Sequence, residues 1–377
     1  VPALVATVVA GLLLRPDRPP EDLVQTMAPG SSMVTVAVTA VDSEAADLTP
    51  VDAVTPAGDP VEVHVPPEYV AEIEVGDRLR VIALPVDDAV LAPPGAPTHI
   101  FVDFARGPPM LALAVLMAVL VIGVARLRGF AALLGLGLSL AGLGWFTLPA
   151  LLAGQPAAAV AVVSATGIMY VVLYLAHGIS ARTSTALVGT LVGIVLTTGI
   201  GAWATGAAHL TGLGGELSLE LVNLAPEMSL RGVLLCGLVL AGLGVLNDVT
   251  ITQASAVWEL RASSPTAPRR EIFSRAMRIG RDHIASTVYT VAFAYVGAAL
   301  PLVLIIALSD SALLEVLGAG EVAEEVVRTM VGSIGLVLAI PVTTALGAWI
   351  AGPRSLTPLD EEPVTRRDQE SAVLSRP

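Results

Sequence analysis

Long uncharged runs separated by short polar breaks dominate the chain from residue 109 onward. Met110–Val124 and Ala131–Leu152 carry no charge at all. Runs of roughly 17–25 apolar residues are the length that crosses a bilayer. The pattern predicts spans at approximately 109–125, 130–152, 157–176, 186–207, 231–247, 284–308 and 330–350. Pro149 and Pro156, with Gly154 and Gln155 between them, mark a tight turn. Residues 1–14 are almost wholly apolar and lack the basic segment of a complete signal peptide. They read as an uncleaved transmembrane anchor, which brings the count to about eight.

The rhythm changes between residues 16 and 108. Residues 16–31, rich in Pro, Asp and Ser, read as a linker. From Met33 to Thr39 and from Val61 to Val65 the chain alternates with period two. Ile73 and Val75, then Leu79, Val81 and Ile82, flank a Gly76-Asp77 turn, and Ile100–Phe104 closes the series. Alternation broken by Gly, Pro and Asp predicts short antiparallel strands. The expected fold is therefore a polytopic α-helical membrane protein with a small extracytoplasmic all-β domain, residues 32–104, between its first and second spans. That domain resembles an oligonucleotide-fold-like or transporter-associated β-unit. Residues 109–350 form the helical membrane domain, and 351–377 a disordered cytoplasmic tail.

Composition agrees with a membrane class. The chain of 377 residues is 54% hydrophobic and 14% charged, against about a quarter charged in soluble domains. All 20 basic residues are Arg. They concentrate in alternate connections: Arg126 and Arg128, then Arg182, then 247–283, then the tail. The intervening connections are uncharged or acidic, apart from Arg328. By the positive-inside rule this places both termini of a multi-pass membrane protein in the cytoplasm. Arg15 and Arg231 count mildly against it. Residues 16–108 hold 16 Asp or Glu against four Arg, a net −12, which is the wrong sign for nucleic acid.

The apolar rhythm is broken most sharply at Leu246–Ser255 and again at Arg278–His283. A helix continuing past Gly244 would carry Asp248, Thr252, Ser255 and Glu259 on one face. A second helix starting near Arg270 would align Glu271, Arg275, Arg278, Asp282, Ser286 and Tyr289. The turn-rich segment 262–268 would let the two stripes fold together, pairing Asp248 with Arg278 or Arg281, and Asp282 with Arg278. One reading is a cytoplasmic hairpin, 247–283, whose salt bridges fix topology and packing. The other is a polar vestibule for an ion or small solute, lined by Asn247, Asp248, Thr252, Gln253, Asp282 and His283. Tyr170, Tyr174 and His177 follow helical spacing and either face that centre or form an interfacial belt. Gly189 and Gly193 form a small-xxx-small pattern for close helix packing, within one chain or between two.

No enzyme is expected: the chain lacks HExxH, a Gly-x-Ser-x-Gly elbow and a phosphate-binding glycine loop. Cys236 is the single cysteine, His64 and His99 are isolated, and neither a cofactor nor a metal is expected.

The segments Gly242–Leu260, Ile279–Ile284 and Ala294–Gly297 resemble the YibE/F family of multispan bacterial membrane proteins. Gly244, Asp248, Ser255, Glu259, Gly280, Arg281, Asp282, Tyr295 and Gly297 match its motif, and Asn247 departs from it. The resemblance implies a membrane protein but supplies no substrate, activity or catalytic residue. The functional expectation is a permease, channel or transport accessory, with an ion or small solute as its partner besides the lipid bilayer. The alternative is a scaffold that presents the β-domain to an envelope protein.

Overall fold

The structure is a computed structural model that describes residues 2–16, 28–41, 49–84, 98–308 and 318–353. Most of the expected linker and all but the first residues of the tail lie outside them. The chain divides into two compact units, Asp22–Arg126 and Val1–Glu21 with Leu127–Pro377.

The first unit contains a closed five-stranded barrel. Its strands are β1 (Ser32–Val41), β2 (Thr49–Val54), β3 (Pro60–Val65), β4 (Arg78–Ala83) and β5 (His99–Phe104), in the order β1-β2-β3-β5-β4. All neighbours are antiparallel except β3 and β5. A short helix α2 (Pro67–Val70) joins β3 to β4. This is the Greek-key barrel of an oligonucleotide-fold-like unit. Strand alternation builds its core: Val36, Val38, Val51, Ala53, Val63, Val65, Leu79 and Val81 all point inward, with Ile73 and Phe101. β1 serves two neighbours, β4 through Ser32–Ala37 and β2 through Ala37–Val41, with an irregularity at Val38/Ala40. Such a bulge bends a strand, which is how a sheet turns to close on itself. The Gly76-Asp77 turn docks there, because Val38 N–H donates to Asp77 O (2.8 Å) and Gly76 N–H to Val38 O (2.9 Å). Gly76 has φ 102°, a conformation glycine adopts without strain.

The sequence pattern did not reveal β2, because Pro50 and Asp52 interrupt it. The β1 ladder starts at Val51, so the missing N–H of Pro50 costs that ladder nothing. Val75, grouped by its alternation with Ile73, is exposed in the turn.

In the other unit, α5 (Ala157–His177), α6 (Ala181–Ala207), α9 (Arg269–Ala298) and α11 (Gly320–Ile350) pack around α8 (Leu230–Ser263). A short α7 (Glu216–Leu224) lies in the connection before α8, and α1 (Pro2–Leu13) contacts α5. The glycine pattern on α6 acts within the chain. A Cβ on Gly189 would collide with Thr343 of α11, and one on Gly193 would meet Leu246 of α8 at 2.9 Å. Small residues bring these backbones together where apolar burial gives no preference over lipid.

Five helical stretches among the described residues are long and apolar enough to cross a membrane, or six if α9 and α10 (Leu300–Leu308), bent by 69°, form one span. Eight were expected. Against six the difference has two sources, and against five the α9–α10 bend is the third. α1 is only 12 residues long, about 18 Å at 1.5 Å per residue. The two expected spans 109–125 and 130–152 count as one stretch, α3 (Gly107–Gly142), a π-helical turn (Leu143–Thr147) and α4 (Leu148–Leu152), although α3 is two helices that meet at a kink. Within α3 the backbone leaves helical geometry only at Arg126, with φ 56° and ψ −133°.

Candidate functional site at the α8–α9 hairpin

α8 continues without interruption through the polar segment to Ser263, and α9 begins at Arg269 after the loop 264–268. The two helices form a hairpin, and Asp248 meets His283 while Gln253 meets Gly280. The faces in contact are not the charged stripes. On α9 the buried line is Ile272, Ala276, Gly280, Thr287 and Val291. With 3.6 residues per turn, Arg278 and Asp282 fall on the opposite side and are exposed, as is Arg281. On α8 the inward residues are Leu246, Val249, Thr250, Gln253, Ala254, Val257 and Arg261, which leaves Asp248 and Glu259 exposed and Thr252 and Ser255 half-buried.

The expected ion pairs change accordingly. Among the described residues no carboxylate lies within 4.0 Å of Arg278 or Arg281, and the partner of Asp248 is His283, with Nε2 3.6 Å from Oδ2. That separation exceeds a hydrogen bond. Along α9 the pair that forms is Arg275 with Glu271, at 2.5 Å.

What the hairpin encloses is neutral and polar. Gln253 is 1% exposed, and both its amide nitrogen and its oxygen lack a hydrogen-bond partner. Its amide lies in the space that a Cβ on Gly280 would occupy, and Ile340 of α11 closes the same gap. Asn247 Oδ1 and His283 Nε2 are likewise buried without a hydrogen bond. Thr250 sits between them on the inward face, its hydroxyl 2.6 Å from that of Thr190 on α6. The polar seam continues in Thr343 Oγ1 and Thr197 Oγ1, which are also unpartnered and pressed against Gly189 and Gly335. Glycine Cα–H groups give such oxygens weak contacts at best.

The aromatic residues expected near this centre are engaged elsewhere. Tyr170 and Tyr174 pack against each other, centroids 6.0 Å apart, and Tyr174 Oη lies 3.1 Å from Ser184 Oγ on α6. His177 is exposed at the end of α5. Of the motif glycines only Gly280 makes a close approach; Gly244 and Gly297 face open space. Tyr295 lines a cavity of about 330 Å3 at the α9–α10 bend, with Glu325 and Thr329.

The YibE/F-like protein family matches residues 113–353. The chain belongs to that family. The match contains every residue of the α8–α9 hairpin and starts after the barrel. No curated relative and no solved structure matches the chain. The long apolar helices agree with a multi-pass bacterial membrane protein.

Arg261 is the residue whose place sequence reasoning did not find. It served there only as one of the orienting arginines. In the structure it is 5% exposed. Its Nε donates to Ala351 O at the end of α11 (2.6 Å), and Nη1 to Ala267 O (2.6 Å), with Pro265 O and Ser264 O at 3.2 and 3.3 Å. One guanidinium thus ties the hairpin loop to α11.

Proposed function

We propose that this YibE/F-family protein is a transport protein, a permease, channel or transport accessory, that passes an ion or small polar solute along the seam between α8 and α9. One observation carries the reading: Asn247 Oδ1, both amide atoms of Gln253 and His283 Nε2 are buried without hydrogen bonds beside the exposed carboxylate of Asp248. A buried polar group left unpaired costs about 1–3 kcal/mol, and a polar solute or its accompanying water would remove that cost. Asp248 supplies the charged mouth, while Thr252, Ser255 and Asp282 keep its surroundings wettable. No covalent chemistry is assigned to the protein.

In this reading the break at Arg126 separates two spans. With α1 and the bent α9–α10 pair counted, eight spans put both termini, Arg126 and the α8–α9 hairpin in the cytoplasm and the barrel outside. The test is flux. In liposomes screened with monovalent and divalent cations and small anions, wild type conducts at least one species, and Asp248→Asn and Gln253→Leu each lower its rate tenfold or more. Absence of flux for every species, with protein correctly incorporated, overturns the reading.

A second reading has the barrel bind an envelope protein. It is favoured by the barrel's own closed core and by its position before the family match. Crosslinking in cells would then lose a partner when residues 32–104 are removed; an unchanged partner set refutes it.

A further inference from the structure

A cavity of about 280 Å3 lies where the first turn of α6, the end of α8 and the end of α11 meet, lined by Ala181, Trp258, Arg261, Ala262, Ile350 and Gly352, with Ala351. Three observations give it a sign. Arg261 is nineteen-twentieths buried, yet among the described residues no carboxylate lies within 4.0 Å of it, and its Nη2 has no acceptor. Carbonyl oxygens solvate its other nitrogens but carry no net charge, and a buried ion without a counter-charge is costly. Second, Arg269 reaches the same place, since a Cβ on Gly352 would stand 3.1 Å from its Nη2. Third, Ser180 caps only the amide of Thr183, so the Ala181 and Arg182 N–H groups at the start of the 27-residue α6 have no acceptor among the described residues. The first turn of a long helix favours anions.

We propose that this cavity binds a phosphate group. A tetrahedral oxyanion matches the combination of forked guanidinium donors and helix N–H groups, and it supplies the charge that Arg261 lacks. The Trp258 and Ile350 side of the cavity suits the glycerol and acyl part of a phospholipid. The phosphate itself comes from an anionic lipid headgroup or from solution. The site is separate from the seam used for transport, so its failure leaves that reading untouched.

The test uses the full-length protein in nanodiscs, with Tm as the readout. Phosphatidylglycerol discs, or inorganic phosphate added to phosphatidylcholine discs, raise the wild-type Tm by about 2–4 °C over phosphatidylcholine alone. A rise only with phosphatidylglycerol assigns the lipid headgroup, and a rise with inorganic phosphate assigns the free ion. Arg261→Met abolishes the rise but also removes the loop hydrogen bonds. Ala262→Asp separates the two effects: it keeps those bonds and places a carboxylate in the cavity, so the rise is lost while the basal Tm stays at or above that of wild type. Arg270→Gln, which removes an exposed charge outside the cavity lining, retains the rise. No rise in wild type under either condition, or an equal rise in Ala262→Asp, overturns the proposal.

Discussion

Gly280 and Gly244 belong to the same motif and differ in what surrounds them. A methyl group on Gly280 would overlap the Gln253 amide and come within 2.8 Å of Ile340 Cγ2, whereas one on Gly244 meets nothing within 4 Å. Gly280→Ala is therefore expected to cost about 1–3 kcal/mol as an overpacked core position. Gly244→Ala, relieved of glycine's helix penalty, should be neutral or stabilising by up to about 1 kcal/mol. Thermal unfolding of the two variants in one detergent checks the contrast, and equal Tm values would contradict it. Sequence reasoning grouped both glycines because a motif records identity and spacing, not clearance. Arg261 shows the same gap. Its acceptors include Ala351, which is 90 positions away in the chain, and no local pattern announces that contact.

Within single elements the hydrophobic rhythm was a good guide, and its errors have causes. The strands β1, β3, β4 and β5 were legible because one face of each enters the barrel core, which forces period-two alternation. β2 was hidden by Pro50, harmless where it stands beyond the β1 ladder. On β5, burial lowers the pKa of His99 below its ordinary 6.5. The unfolded chain then binds that proton more readily than the folded one. His99 thus leaves the barrel unpenalised above about pH 6.5 and withdraws stability as the pH falls through that value. The protection factors of β5 amides in the full-length protein, with the intrinsic exchange rate at each pH divided out, should fall between pH 7 and 5.5 more in wild type than in His99→Gln; identical pH profiles would refute this. At the Gly76-Asp77 turn, Gly76→Val forces a branched side chain to φ 102°. It should destabilise the barrel by more than about 1 kcal/mol, seen as faster exchange of the Val38 amide that bonds Asp77 O.

At the scale of the whole molecule the proposed orientation can be tested with the chain's own chemistry. Cys236 is the single cysteine and is buried, with burial in an apolar helix leaving it shielded from polar reagents. In a Cys236→Ala background, single cysteines at Ala262 and Ala57 should react with an impermeant maleimide from opposite sides of the membrane. Labelling of both from the same side would overturn the eight-span arrangement. The number and ends of the spans were not readable along the chain, whereas the membrane class, the separate β-unit and the polar interruption at 246–283 were. Each is a local property: run length sets whether a helix can cross lipid, and residue alternation sets whether a strand has an inside. Which side of α8 and α9 faces inward was not readable in that way. Charged stripes on two neighbouring helices suggested a paired interface, but desolvating those charges costs more than burying the neutral faces beside them. Close packing against α6 and α11 selected Thr250, Gln253 and Gly280 for the interior. Asp248, Glu259, Arg278, Arg281 and Asp282 remained outside, where water or headgroups solvate them, and Arg261 alone of the hairpin's arginines went inside, solvated by carbonyl oxygens.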